Sequence, residues 1–341
     1  MSALLCRVAE NMFWLSRYVE RAIAVIRVVD VTAHLELDAG DPETEHIDFW
    51  IPLLGPVTDM GLDATATDHL PRPADVRYHL AFDADNPNSL VSCVRRARSA
   101  AREVRESIST EMWEQINTSY LLLQDASRVR ELEDDLHGFY RRIRDVLLLI
   151  QGLGDATIVQ DASWWFLSLG KYLERAENIA RLLKMQSHLL TPASGEQTVR
   201  LLAILRSAGA AEGYSRFYSL RVEPPRVLEF LLLNPSYPQS VRFSLGAAWN
   251  ALESVARTMS PMDTSAAPPV RELGRLRARL EHASVDEVIE YGLDQFLSEV
   301  QDGIGAVTER ITLEYFQYVP MAGRHMAVAR AAQIMAAQQQ Q

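Results

Sequence analysis

Arg17–Arg27 reads R-Y-V-E-R-A-I-A-V-I-R, and Lys171–Arg181 reads K-Y-L-E-R-A-E-N-I-A-R. The two stretches coincide at a constant offset of 154 at Tyr18/Tyr172, Glu20/Glu174, Arg21/Arg175, Ala22/Ala176 and Arg27/Arg181, and again at His34/His188. At ~100° per residue, Glu20, Arg27 and His34 fall within about 40° of one another on a helix, with Arg17 and Arg21 bordering them. Tyr18, Val19, Ala22, Val25, Ile26 and Val29 take the opposite arc. The second stretch gives the same stripe in Lys171, Glu174, Arg181 and His188, with Glu177 and Asn178 added. Each stretch is therefore read as a helix with one apolar face and one row of alternating acid and base.

Working outward, helical spacing covers residues 3–38 and recurs over roughly 89–118, 119–150, 161–190, 197–218, 239–258, 269–282 and 284–316. Loops are expected at 38–45, 56–75, 83–88, 191–196, 221–238 and 259–269, where Pro, Gly, Asn, Asp and Ser break helices. Asp85 or Asn86 before Pro87 reads as a helix start. Alternating strand patterns are nearly absent, so the fold class is all-α. Two further pairs keep the order of the first. Asn86-P-N-S-Leu90 matches Tyr237-P-Q-S-Val241 at offset 151, and Trp50-I-P-L-L-Gly55 matches Leu201-L-A-I-L-Arg206 near offset 152. We therefore expect two tandem helical pseudo-repeats, about 1–150 and 155–316, packed as one multi-helix bundle within a single domain over 1–320, followed by a C-terminal tail at 321–341.

Composition narrows the function. The 341 residues are 48% hydrophobic and 23% charged, enough to bury a core. A net charge of −11 argues against non-specific nucleic-acid binding, which needs a basic field. The two cysteines, Cys6 and Cys93, make neither a disulfide framework nor a structural zinc site, and a reducing compartment fits them. No apolar run reaches the ~18 residues of a membrane span, and the N-terminal stretch lacks the features of a signal peptide. A cytoplasmic location is expected, with neither nucleic acid nor membrane as partner. Of 34 basic residues only Lys171 and Lys184 are lysines, so 32 are arginines. A GC-rich genome explains most of that bias, and a preference for planar bidentate donors explains it at particular clusters.

The paired stripes carry the chemistry worth testing. Surface charge rows are usually solvated, but retention of the same types at the same positions in both copies points equally to a polar lining between repeats. A second cluster, Arg95, Arg96, Arg98, Arg102 and Arg105, puts Arg98, Arg102 and Arg105 on one face of a helix at i, i+4 and i+7. Such a face either pairs with acids or holds phosphate or carboxylate. Standard catalytic signatures fail. There is no phosphate loop of the Walker type. Ser168-L-G-Lys171 lacks the companions of a β-lactamase set. Glu43-x-x-His46 stands alone, so a di-metal bundle lacks its second half. No metal site is expected.

Met1-SALLCRVAENMFWLSRYVERA-22, Trp50-IPLLG-55, Asn86-PNSLVSCVRRARSAAREVRESISTEMWEQI-Asn117 and Trp164-WFLSLGKYLERAENIARL-Leu183 together resemble the bacterial alpha-E domain family over roughly residues 3–318. The resemblance implies a helical protein that accompanies, or is fused to, a circularly permuted ATP-grasp protein. Transglutaminase-like and proteasome-like peptidase genes lie near such proteins. The implied setting is ATP-dependent peptide or amide-bond formation. The chain is then a non-ATPase component that binds the ligase or positions an amino-acid or acyl-phosphate intermediate. It has no cofactor of its own, and ATP enters only through the ATP-grasp partner. On this reading Glu20 and Glu174 bind an ammonium group, or serve as general base if the chain is itself an enzyme. The ligand-binding set is Arg17, Tyr18, Arg21, Arg27, Lys171, Tyr172, Arg175, Glu177 and Arg181, with Arg98, Arg102 and Arg105. His34 and His188 are weaker acid–base candidates. The remaining alternative is an interaction scaffold in which the Glu/Arg pairs only lock repeat to repeat.

Overall fold

A computed structural model describes residues 3–38, 73–125, 136–190, 198–218, 221–259 and 267–317. These residues are helical, with no strand among them. The helices are α1 (Ala3–Asp38), α2 (Pro73–Ala81), α3 (Leu90–Glu103), α4 (Thr110–Asp125), α5 (Leu136–Thr157), α6 (Ala162–Met185), α7 (Thr198–Ser207), α8 (Ala211–Tyr218), α9 (Pro224–Leu228), α10 (Val241–Met259), α11 (Pro268–His282), α12 (Val285–Tyr291) and α13 (Leu293–Ile311). The Trp50–Gly55 motif, Glu43, His46, the side chain of His34 and the tail at 321–341 lie outside the described residues.

Where the structure departs from the helical pattern, a local cap or turn decides it. The stretch 89–118 is two helices, because α3 ends at Val104 and Ser109 accepts a hydrogen bond from the Met112 N–H to start α4. Arg105 therefore sits in a tight turn (Arg105–Ser107) and does not continue the face of Arg98 and Arg102. The start of α3 is Ser89, whose hydroxyl accepts from the Ser92 N–H, not Asp85 or Asn86. Asn86 instead builds the turn before it, accepting from the Asn88 N–H and donating to the His79 carbonyl. The stretch 284–316 breaks at Gly292, which adopts φ +105° between α12 and α13. The stretch 197–218 breaks at Gly209, with φ +64°. Residues 221–238 are not all loop, because the Pro224-Pro225 start opens α9 and a wider turn carries it to Leu233.

The packing resolves into two closed circuits of four helices. In the first, α1 packs on α3, α3 on α4, α4 on α5, and α5 back on α1. In the second, α6 packs on α10, α10 on α11, α11 on α13, and α13 back on α6. The circuits join where α1 lies along α6. These two helices run parallel, since Phe13 meets Gly170, Glu20 meets Arg175, and Val25 and Val28 share a cavity wall with Leu182 and Met185. Phe13, Leu15, Ala22 and Ile26 of α1 and Phe166, Leu169, Leu173 and Ala180 of α6 are buried. Burial of each large aliphatic or aromatic side chain contributes about 1.5–3 kcal/mol, so the seam is also the apolar spine of the molecule.

Gly170 sets the closeness of the seam. A Cβ there would overlap the Phe13 carbonyl and the Ser16 hydroxyl, and a backbone carbonyl in α1 cannot swing aside. Gly170→Ala is expected to destabilise the fold by at least about 3 kcal/mol in denaturant unfolding. Gly152→Ala in α5 has open space around its new methyl. It is expected to be neutral or to stabilise by up to about 1 kcal/mol. Equal effects of the two substitutions overturn this account of the seam.

Candidate functional site

At the middle of the seam each helix offers its Glu-Arg dipeptide to the other. Arg175 donates from Nε to Glu20 Oε1 at 2.7 Å and from Nη2 to Oε2 at 2.9 Å. In return Arg21 donates from Nε to Glu174 Oε1 at 2.6 Å and from Nη2 to Oε2 at 3.0 Å. Both contacts are bidentate forks, the strongest geometry available to these groups. Each arginine then uses its remaining nitrogen on a loop of its own circuit. Arg21 Nη1 reaches Asn88 Oδ1 at 2.8 Å, and Arg175 Nη1 reaches the Pro238 carbonyl at 3.3 Å. Those acceptors lie in the Asn86–Leu90 and Tyr237–Val241 stretches, so each arginine ties the seam to the matching turn.

The two halves of this cross differ in their third partners. Arg17 donates from Nε to Glu174 Oε2 at 2.6 Å, and also binds Glu177, which Arg181 holds from the other side at 2.8 Å. Glu20 instead receives the Gln151 side-chain amide from α5. Lys171, which stands where Arg17 stands in the first stretch, turns away to Asp155 at 2.8 Å. Ile23 occupies the position equivalent to Glu177 and is buried in the core. Glu174 therefore accepts from two guanidiniums, Arg17 and Arg21, whereas Glu20 accepts from one, Arg175, and from the Gln151 amide.

Glu174 is fully buried, and Glu20 only 3% exposed. Burial alone pushes the Glu174 carboxyl up, but the charges of Arg17 and Arg21 and their hydrogen bonds outweigh it and hold it down at about 2. For Glu20 burial again acts upward, and Arg175, Arg27 and the Gln151 hydrogen bond bring it below the ordinary carboxylate value. A general base works best with a pKa near the operating pH and a free lone pair facing substrate. Here both oxygens of each carboxylate already accept guanidinium hydrogens, and neither residue lines the cavities described next to the seam.

The other candidate residues are distributed around this cross. Tyr18 stacks on Trp14 and carries Arg96 on its face. Tyr172 packs edge-on against Phe243, with Lys171 and Arg175 over its ring. Arg98 donates to Asn117 Oδ1 at 2.7 Å and lies over Tyr120, while Arg105 lies beside Trp113 and donates to Thr110. Arg102 faces solvent with only Glu103 nearby, at 3.8 Å. The arginine cluster is thus divided among separate partners. His188 is exposed in a short turn beyond the end of α6, so it does not extend the stripe. Arg27 belongs to the stripe in sequence but reaches past it, to lie against Gly209. Gln151, Asn88 and Asp155, which complete the cross, carry no periodic signal of their own. The N-P-x-S match was the one available hint, through Asn88. No cluster of His, Cys, Asp or Glu suited to a metal occurs among the described residues.

The family model that matches residues 4–316 is Alpha-E, described as a predicted alpha-helical domain with a conserved ER motif. The chain belongs to the Alpha-E family. This Alpha-E chain is similar to uncharacterized proteins of Mycobacterium bovis and Mycobacterium tuberculosis, 24% identical over 325 residues, which cover 88% of this chain and 35% of each relative. It thus spans about a third of the length of the curated relatives it matches. No solved structure matches it. In this Alpha-E domain two E-R dipeptides, Glu20-Arg21 and Glu174-Arg175, form the centre of the fold.

Two measurements check the cross. Glu20→Leu leaves the Arg175 charge buried without its carboxylate, and is expected to cost about 3–5 kcal/mol of unfolding free energy, whereas Glu20→Leu combined with Arg175→Met recovers a large part of that loss. Additive losses overturn the pairing. For Glu174, the folded carboxyl titrates near 2 and the unfolded one near its usual 4.5. The unfolded chain therefore binds more protons between those values, and stability falls as pH drops from about 4.5 toward 2. Glu174→Gln is expected to flatten that slope in a pH series of denaturation midpoints, and an unchanged slope assigns the acid sensitivity elsewhere.

Proposed function

We propose that this chain is the non-ATPase helical component of an ATP-grasp-type peptide or amide ligase system. In that role it binds the ligase, or positions an amino-acid or acyl-phosphate intermediate for it. The observation that carries the reading is the closure of the polar centre. The two carboxylates best placed for chemistry are consumed in holding α1 to α6. Bond-making is then supplied by another polypeptide or another part of a longer one. Relatives about three times as long as this chain support a module that works beside other parts. Descent from a duplicated helical unit fits the two four-helix circuits. A cytoplasmic setting is part of the proposal, and among the described residues no helix is long and apolar enough to cross a membrane.

A purely structural scaffold is the second reading, favoured by the same reciprocal forks. The enzyme reading, with Glu174 or Glu20 as base, is the weakest, because Glu174 holds three guanidinium hydrogen bonds and Glu20 two, which compete with acceptance of a proton. Transglutaminase-like and proteasome-like proteins remain candidate neighbours of the same system.

Co-expression with the circularly permuted ATP-grasp protein of the same genome separates these readings. The first predicts co-purification, and ATP-dependent amide product that falls at least tenfold when this chain is omitted. A stable complex with unchanged product favours the scaffold. Neither complex nor effect overturns the proposal. Glu174→Gln at a temperature where the variant stays folded is expected to leave product formation per folded molecule within about twofold, since no proton passes through that carboxylate.

A further inference from the structure

Away from the seam, a cleft of about 630 Å³ opens between α1, α5 and the α7–α8 corner. That volume is in the range of small-molecule sites. Its walls hold charges of both signs, and most are already spent. Asp30 takes Arg144 at 3.4 Å and His137 at 2.7 Å. Asp145 lies 3.6 Å from Arg144. Arg27 and Arg206 differ from these, since among the described residues neither makes an ion pair or a hydrogen bond.

Arg27 is partly buried, and burial lowers its pKa from the ordinary arginine value, against the pull of Glu20. Glu20 attracts it without a hydrogen bond, its oxygens accepting instead from Arg175 and Gln151. The guanidinium is nevertheless held in place. It lies on the Gly209 backbone so closely that a Cβ at Gly209 would sit 2.8 Å from Arg27 Cζ. Gly209 adopts φ +64° there, and its carbonyl accepts from the Tyr237 hydroxyl at 2.6 Å. A partly buried, positioned cation with no acceptor is costly in a folded protein. Its five N–H donors suit a planar or tetrahedral oxyanion.

We propose that this cleft binds a small oxyanion-bearing ligand, carboxylate or phosphate, whose anionic group bridges Arg27 and Arg206. Arg27 grips from the floor, and Arg206, on the last turn of α7, closes from the exposed side. Glu212 at the start of α8 lines the same cleft, where its carboxylate favours ligands that also carry an ammonium group. The inference deepens the reading of the chain as a component that positions an intermediate, by giving that role a site. It is tested on this chain alone, so the absence of a ligase complex leaves it standing.

Titration calorimetry with the full chain uses three probes: inorganic phosphate, succinate and L-glutamate. The expected result is saturable binding of at least one, weakened at least tenfold in Arg27→Met and at least threefold in Arg206→Met. Phosphate binding alone assigns a phosphoryl group, and glutamate binding tighter than succinate assigns a zwitterion. Among the described residues Arg27 makes no hydrogen bond or ion pair and only a through-space attraction to Glu20, so Arg27→Met is expected to keep its thermal midpoint within a few degrees. If it fails to fold, Gly209→Ala serves instead, because it keeps every charge while displacing the guanidinium, and a comparable loss of affinity is expected. Absence of binding for all three probes at millimolar concentration, or equal affinity in wild type and the Arg27 or Gly209 variant, overturns the proposal.

Discussion

The structure depends on an exchange of forked ion pairs between two parallel helices. Glu20 is answered by Arg175, and Glu174 by Arg21, with both carboxylates and Arg175 buried. Buried pairs contribute little net stability, because desolvating the charges offsets most of the attraction. Their value is in excluding alternatives. A one-residue slide of α1 along α6 would leave two carboxylates and at least two guanidiniums buried and unmatched. The apolar residues of the seam tolerate such a slide far better, so the charges fix the register and the hydrophobic surface supplies the energy.

From that fixed pair the rest of the molecule is organised outward. The third nitrogen of each arginine reaches the turn that launches the next helix of its circuit, Asn88 before α3 and Pro238 before α10. One guanidinium thus couples the helix contact, the opposite helix and a loop. Gly170 allows the approach that brings all of these within hydrogen-bond distance. The asymmetries are local: Lys171 bound to Asp155, Glu177 shared by Arg17 and Arg181, and Arg27 lining the cleft.

Much of this was legible in the sequence. The 3.6-residue period along α1 and α6 and the shared Tyr-x-Glu-Arg-Ala pattern pointed to the class, the two helices and their acid–base rows, and left open whether those rows face solvent or each other. What the periodicity could not give was which charges meet. Arg27 and Arg181 share a stripe position, yet one faces a cleft and the other holds Glu177. Such differences depend on α5, α7 and the loops, whose contributions (Gln151, Gly209, Asn88) are single residues without a pattern. Helix breaks at 104–109 and at Gly292 were missed for a related reason. The apolar spacing continues through them, while a serine cap and a positive φ decide locally. The arginine run at 95–105 looked like one basic face, but aromatic rings and an asparagine divide it.

The parallel pairing of α1 with α6 also bears on how the chain is made. Each partner of the central contact is more than 150 residues from the other. At cellular elongation rates the first helix leaves the ribosome on the order of ten seconds or more before its mate is synthesised. During that interval the first half carries Arg17, Glu20 and Arg21 among the apolar residues of α1. The charges that later specify the seam thus interrupt the hydrocarbon that the first half presents until its counterpart arrives.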